Sequence, residues 1–230
     1  MKEYFALLMM IFASCSQDDT DEVCTLGFKP TTTIEMNAQV KADTTAADVR
    51  TVTLLLGKFT SPSFPKAESV ADSALHIASV LLSSHDFKTV IASLDFTCRN
   101  YGHHCKKICK RCSDRFSGRV VLDSVYREKQ ARLDLFLRNC RDEYGHATFN
   151  IREVYSCQPV VFYDEKKLSP AYCYAYHLAH EYMHIVGFFH TDHVDDVAEK
   201  TGWLGWEILL RWQKAGLNVM QMQPGDHYKI

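Results

Sequence analysis

The sequence predicts an α+β domain: a small twisted mixed sheet with a backing helix, a long helix bearing a histidine-rich run, and a short helical C-terminal subdomain. Three observations point there. Val49 to Phe59, Ala147 to Tyr155 and Pro159 to Tyr163 have the β-branched and aromatic content of strands. Residues 65–83 and 122–140 place apolar side chains three and four apart, the spacing of a half-buried helix. Ala171 to Val186 contains no glycine or proline, yet Pro170 precedes it and Gly187 follows it, as in a helix with defined ends.

At 230 residues the chain is long enough for one substantial domain. A net charge of −2 argues against bulk attraction to nucleic acid or to a membrane surface, and no nucleic-acid motif or internal repeat is visible.

Taken in order, Lys2 precedes an apolar run, Tyr4 to Phe12, too short for a mature spanning helix but suited to the core of a signal peptide. Ala13 and Ser14 before Cys15, followed by the polar and acidic Ser16 to Asp19, resemble the lipobox of bacterial lipoproteins. That resemblance implies a signal peptide over 1–15, Cys15 as the lipidated first mature residue, and contact with the membrane through a lipid anchor only. The protein would then be exported, held in the bacterial envelope or secreted. Residues 16–48, rich in Thr, Asp and Ala, read as a flexible tether or pro-segment, leaving 49–230 as the main domain.

Within that domain Val52, Leu54, Leu55 and Leu56 mark the first strand. Val70, Ala74, Ile77, Ala78 and Leu81 mark the backing helix, with a shorter segment at Phe87 to Leu94. Leu122 to Cys140 is expected as a second long helix with Val125, Leu133, Phe136 and Leu137 inward. Ser169 and Pro170 open the histidine helix, whose Leu178, Tyr182, Ile185 and Val186 face the core. Asp196 to Ala215 forms the last helix, stopped by Gly216, with Trp203, Trp206, Ile208, Leu209 and Trp212 available for packing.

The chemistry lies in His180-Glu181-Tyr182-Met183-His184-Ile185-Val186-Gly187-Phe188-Phe189-His190. Residues four apart stack on one helix face, so His180 and His184 offer two imidazoles to one ion. Glu181 stands next to His180, within reach of a water on that ion. Gly187 ends the helix and turns the chain, which brings His190 back as a third ligand. Three protein ligands leave a coordination position open to water, the arrangement of catalytic rather than structural zinc.

The spacing H-E-x-x-H-x-x-G-x-x-H resembles the signature of the metzincin metallopeptidases, and the Gly-Phe-x-His ending resembles the astacin branch. The resemblance implies a metzincin-like fold, Zn2+ on His180, His184 and His190, Glu181 as general base, and a protein or peptide substrate. It also implies a cleft-lining strand, for which Val160 to Tyr163 is the candidate, and a methionine beneath the metal, either Met220 or Met222. Thr191-Asp192-His193 departs from the astacin pattern, which has Glu directly after the third histidine. Glu199 and Glu207 are alternative third ligands of the gluzincin kind, while Asp192, His193 and Asp195 compete by proximity. His193 or Tyr228 would assist the oxyanion. Cys24 is a candidate pro-segment ligand for the open position, with a disulfide as its other reading.

Nine cysteines complete the pattern. Setting Cys15 aside leaves eight, an even set that suggests disulfides in an exported chain. Cys105, Cys109 and Cys112, beside His103 and His104, have a spacing used for iron–sulfur clusters, and a second zinc site is also open to them. A disulfide-stapled basic loop, with Arg99, Lys106, Lys107, Lys110, Arg111, Arg115 and Arg119 around it, is the plainer reading. The expected function is therefore zinc-dependent hydrolysis of peptide bonds. The alternatives are an exported zinc-containing binding or adhesion protein without proteolytic activity, and a metal protein centred on Cys105 to Cys112.

Overall fold

The computed structural model describes residues 48–97, 115–140, 145–158, 167–190 and 196–226. Among them lie β1 (Thr53–Thr60), α1 (Glu68–Ser83), α2 (His85–Ser93), β2 (Asp95–Thr97), β3 (Arg115–Ser117) and α3 (Gly118–Val125). These are followed by β4 (Gln130–Arg138), β5 (Gly145–Ala147), β6 (Glu153–Cys157), α4 (Pro170–Ile185) and α5 (Val197–Lys214). The architecture is mixed α+β, with a small sheet and five α-helices among the described residues.

The sheet runs β1-β4-β6-β5; β1, β4 and β6 are parallel, and β5 closes the edge antiparallel to β6. Parallel neighbours need crossovers, and α1 begins the one between β1 and β4. It packs on β1 and also on α4, so one helix joins the sheet to the histidine helix. Ser79 and Ser83 of α1 accept hydrogen bonds from the backbone N–H groups of Leu54 and Val52, pinning helix to strand. α5 packs on α4 and also touches α1 and α2.

The helix expected over Leu122 to Cys140 does not form. α3 stops at Val125, and β4 takes residues 130–138. Ala131, Leu133, Leu135 and Leu137 are buried, while Arg132 and Arg138 are exposed and Asp134 and Phe136 half-buried. That is period two, the strand repeat. Leu133 and Leu137 fit both periods, and Phe136, expected inward, is half-buried on the other face. Pairing with β1 on one edge and β6 on the other satisfies the strand's backbone groups, which decides for the sheet.

The expected strand over Ala147 to Tyr155 is split. β5 ends at Ala147 and β6 begins at Glu153, with Asn150 at φ 60° in the turn between. Pro159 to Tyr163 lies outside the described residues. Trp212 is buried, whereas Trp203 is 51% exposed, so the three tryptophans do not act as one core set. Among the described residues no helix is long and apolar enough to cross a membrane.

Candidate metal centre

α4 positions the site. Leu178, Ala179, Tyr182 and Met183 are buried and tie the helix to the core, leaving His180, Glu181 and His184 along an adjoining stripe. The His180 and His184 rings lie edge to face, with centroids 5.1 Å apart. The helix ends where its glycine falls. Gly187 adopts φ +106°, and the Phe188 N–H reaches back 2.9 Å to the Met183 carbonyl. A left-handed residue at that point favours glycine, and it redirects the chain toward the histidines.

His190 returns accordingly. Its Nε2 lies 3.2 Å from His184 Nε2, and its ring centroid is 5.1 Å from that of His180. The ligand atoms of His180, His184 and His190 fall within 4.8 Å of one another, a group able to hold a metal ion. Two nitrogens at tetrahedral positions on one zinc would stand about 3.3 Å apart, which matches the His184–His190 separation.

Each imidazole is held from behind. His184 Nδ1–H donates to the Phe188 carbonyl at 2.7 Å, which leaves Nε2 with its lone pair facing the group. His190 Nδ1 lies 3.3 Å from Asp196 Oδ2. The His180 ring packs against Gly202, where a Cβ would stand 3.2 Å from Nδ1, and the nearby Ala198 backbone favours its charged form. α5 therefore backs two of the three imidazoles. Such outer partners fix ring orientation and raise ligand basicity.

The electrostatics favour neutral imidazoles at two positions. Burial, then the neighbouring histidines, hold His180 well below its ordinary pKa. Burial and His190 lower His184 to about 4, against the opposing pull of the Phe188 carbonyl and Asp196. Burial also disfavours the charged form of His190, but its hydrogen bond to Asp196 and the charges of Asp196, Glu199 and Glu181 outweigh that and raise its pKa. The donor set is thus ready for a cation at His180 and His184, while His190 is where a proton competes with the metal.

Glu181 is 2% exposed, adjoins His180 on α4, and is near enough to His190 for its charge to act on that ring. Glu199, weighed as an alternative ligand, has its Oε1 3.7 Å from His190 Nδ1, on the side of the ring away from His184. Glu207 is not part of the group. Of the two methionines, Met220 is exposed and Met222 is buried in the core. Asp192, His193, Asp195, Tyr228, Cys15, Cys24 and the run Cys105 to Cys112 lie outside the described residues.

Cys140 and Cys157 form a disulfide that ties the ends of β4 and β6. Cys173 is buried in the first turn of α4, its thiol 3.8 Å from the Leu168 carbonyl.

Sequence reasoning overlooked three participants. In the sequence Asp196 signals only the start of the last helix; its approach to His190 comes from the fold. His177 stands one turn before Glu181, a spacing that was legible. Ser156 reaches His177 through the fold alone. No protein-family model, curated protein or solved structure matches this chain.

Proposed function

We propose that this chain is a zinc-dependent endopeptidase of metzincin type, with zinc on His180, His184 and His190 and Glu181 as general base. The supporting observation is the convergence of the three imidazoles, each held from behind, beside a carboxylate on the same helix. When bound there, zinc would bring a water's pKa toward neutrality and polarise the scissile carbonyl. Glu181 accepts the water's proton and returns it to the leaving amine. Its buried position strengthens that exchange, since charges act over a low local dielectric. Three imidazoles suit several divalent metals; zinc is assigned because three protein ligands with a position left for water would be its catalytic arrangement. The Cys140–Cys157 disulfide supports work in an oxidising compartment, as an exported protein.

The test is purified protein loaded with one equivalent of zinc and offered an unfolded protein substrate. Cleavage that disappears in Glu181→Ala, while zinc stays bound, supports the reading. Wild-type protein that binds zinc and cleaves no substrate in a broad peptide library would replace it with the non-catalytic binding protein.

A further inference from the structure

Behind Glu181 runs a second line of polar groups that the metal does not need. His177 lies four residues earlier on α4, on the same stripe as Glu181. His177 Nδ1 is 3.7 Å from Glu181 Oε1, and its Nε2 is 3.1 Å from Ser156 Oγ on β6. All three are almost wholly buried: Ser156 is 1% exposed, His177 4% and Glu181 2%. Tyr174 stacks beside the His177 ring, centroids 6.1 Å apart.

The sheet is shaped around this imidazole. At Gly145, the first residue of edge strand β5, a Cβ would stand 2.9 Å from His177 Cε1 and Nε2 and 2.3 Å from the Tyr155 carbonyl. Only a glycine lets the edge strand lie so close to the ring. An apolar residue would fill a plain core position with less demand on its surroundings; here strand, serine and histidine are arranged about one donor.

We propose that His177 is a positioning residue for Glu181: Ser156 Oγ–H donates to His177 Nε2, which fixes the proton on Nδ1 and aims it at the Glu181 carboxylate. This rests on the reading of Glu181 as the base. A neutral imidazole has one N–H, and a serine donating to Nε2 leaves that N–H on Nδ1. Burial, then His184, lowers the His177 pKa to about 3, which keeps the ring neutral. The 3.7 Å separation exceeds a formed hydrogen bond, as catalytic contacts often do before substrate binds. Oε1 is thereby steered, which sets the orientation of the whole carboxylate.

The order Ser156, His177, Glu181 also matches a nucleophile, base and acid. Burial of Ser156 under β5 denies it a substrate, so the line is a support and not a second active site.

The test begins without metal or activity. In apo-protein labelled with 15N-histidine, NMR should show His177 protonated at Nδ1, and Glu181→Gln should move that nitrogen's shift. A proton on Nε2, or an Nδ1 shift indifferent to Glu181→Gln, would overturn the proposal. In the zinc enzyme, His177→Phe should retain metal and fold yet lose about 10- to 100-fold in kcat with KM little changed. His177→Asn, whose amide stands near the Nδ1 position, should recover much of the rate. Equal losses in both variants, or labelling of Ser156 by a fluorophosphonate, would also overturn it. If wild-type protein cleaves nothing while Nδ1–H still answers to Glu181, the peptidase reading falls and the contact stands.

Discussion

The Asp196 carboxylate serves two elements at once: one oxygen lies 3.3 Å from His190 Nδ1, and the other caps α5 by accepting the Glu199 N–H at 3.1 Å. The helix that packs against α4 is therefore anchored by the group that faces His190.

The two roles separate by substitution. Asn caps a helix about as well as Asp but carries no charge toward His190. Asp196→Asn should keep the fold's stability while weakening metal binding about 10- to 100-fold. Asp196→Ala should lose the cap as well, at about 0.5–2 kcal/mol. Competition titration with a chelator and denaturant unfolding read the two effects. Unchanged affinity in Asp196→Asn would show that His190 needs no such partner.

Gly202 gives an independent check on His180. A methyl there would press on the ring at 3.2 Å, within α5, where alanine is favoured over glycine by up to about 1 kcal/mol. Gly202→Ala should therefore hold or raise apo-protein stability and lower zinc affinity. A variant weaker in both would mean that the α4–α5 packing, not the ligand, has been disturbed.

The metal-free protein should lose stability on acidification. His177 is lowered to about 3 and His184 to about 4, burial being the first cause of each. The unfolded chain protonates these histidines near pH 6.5, the folded chain only far below. Between those values the unfolded state holds more protons, so stability rises with pH through that window and falls as pH drops. His190, raised, acts oppositely: its contribution is present below its unfolded pKa and lost as pH rises through the folded one. Glu199 and Glu207, raised by burial, also oppose the rise. With His180 adding to the lowered set, the three buried histidines outweigh them, and the net slope from pH 4 to 6.5 should be positive. Urea unfolding in excess chelator across that range measures it, and a flat or falling curve would contradict the burial of neutral imidazoles.

The disulfide closes a separation of 17 residues between Cys140 and Cys157, spanning the β5 edge. In the chain-entropy account such a loop contributes about 3 kcal/mol. Replacing both cysteines by serine should lower the denaturant midpoint accordingly, and with it protection of β5 in hydrogen exchange. A double variant as stable as wild type would remove the bond from the fold's support.

Much of the centre was legible because it is local. His180, Glu181 and His184 acquire their relation from helix geometry, and Gly187 signals the turn by its residue type alone. The helix over Pro170–Ile185 and its proline start follow from the same short-range rules. β4 was misread because Leu133 and Leu137 satisfy a four-residue spacing as readily as a two-residue one, and no local signal ranks them. Pairing on both edges does, and that pairing comes from strands at Thr53–Thr60 and Glu153–Cys157, remote in sequence.

By itself, then, the sequence determined a helix with two imidazoles and a carboxylate, its glycine stop, and a third histidine within reach. Only the tertiary structure decided that His190 Nε2 meets His184 Nε2, that Asp196 and Gly202 back the ligands, and that Ser156 and His177 stand behind Glu181. The reason is range. Helix periodicity fixes neighbours within two turns, whereas contacts across 21 residues or between two helices depend on which faces the core and the sheet bring together.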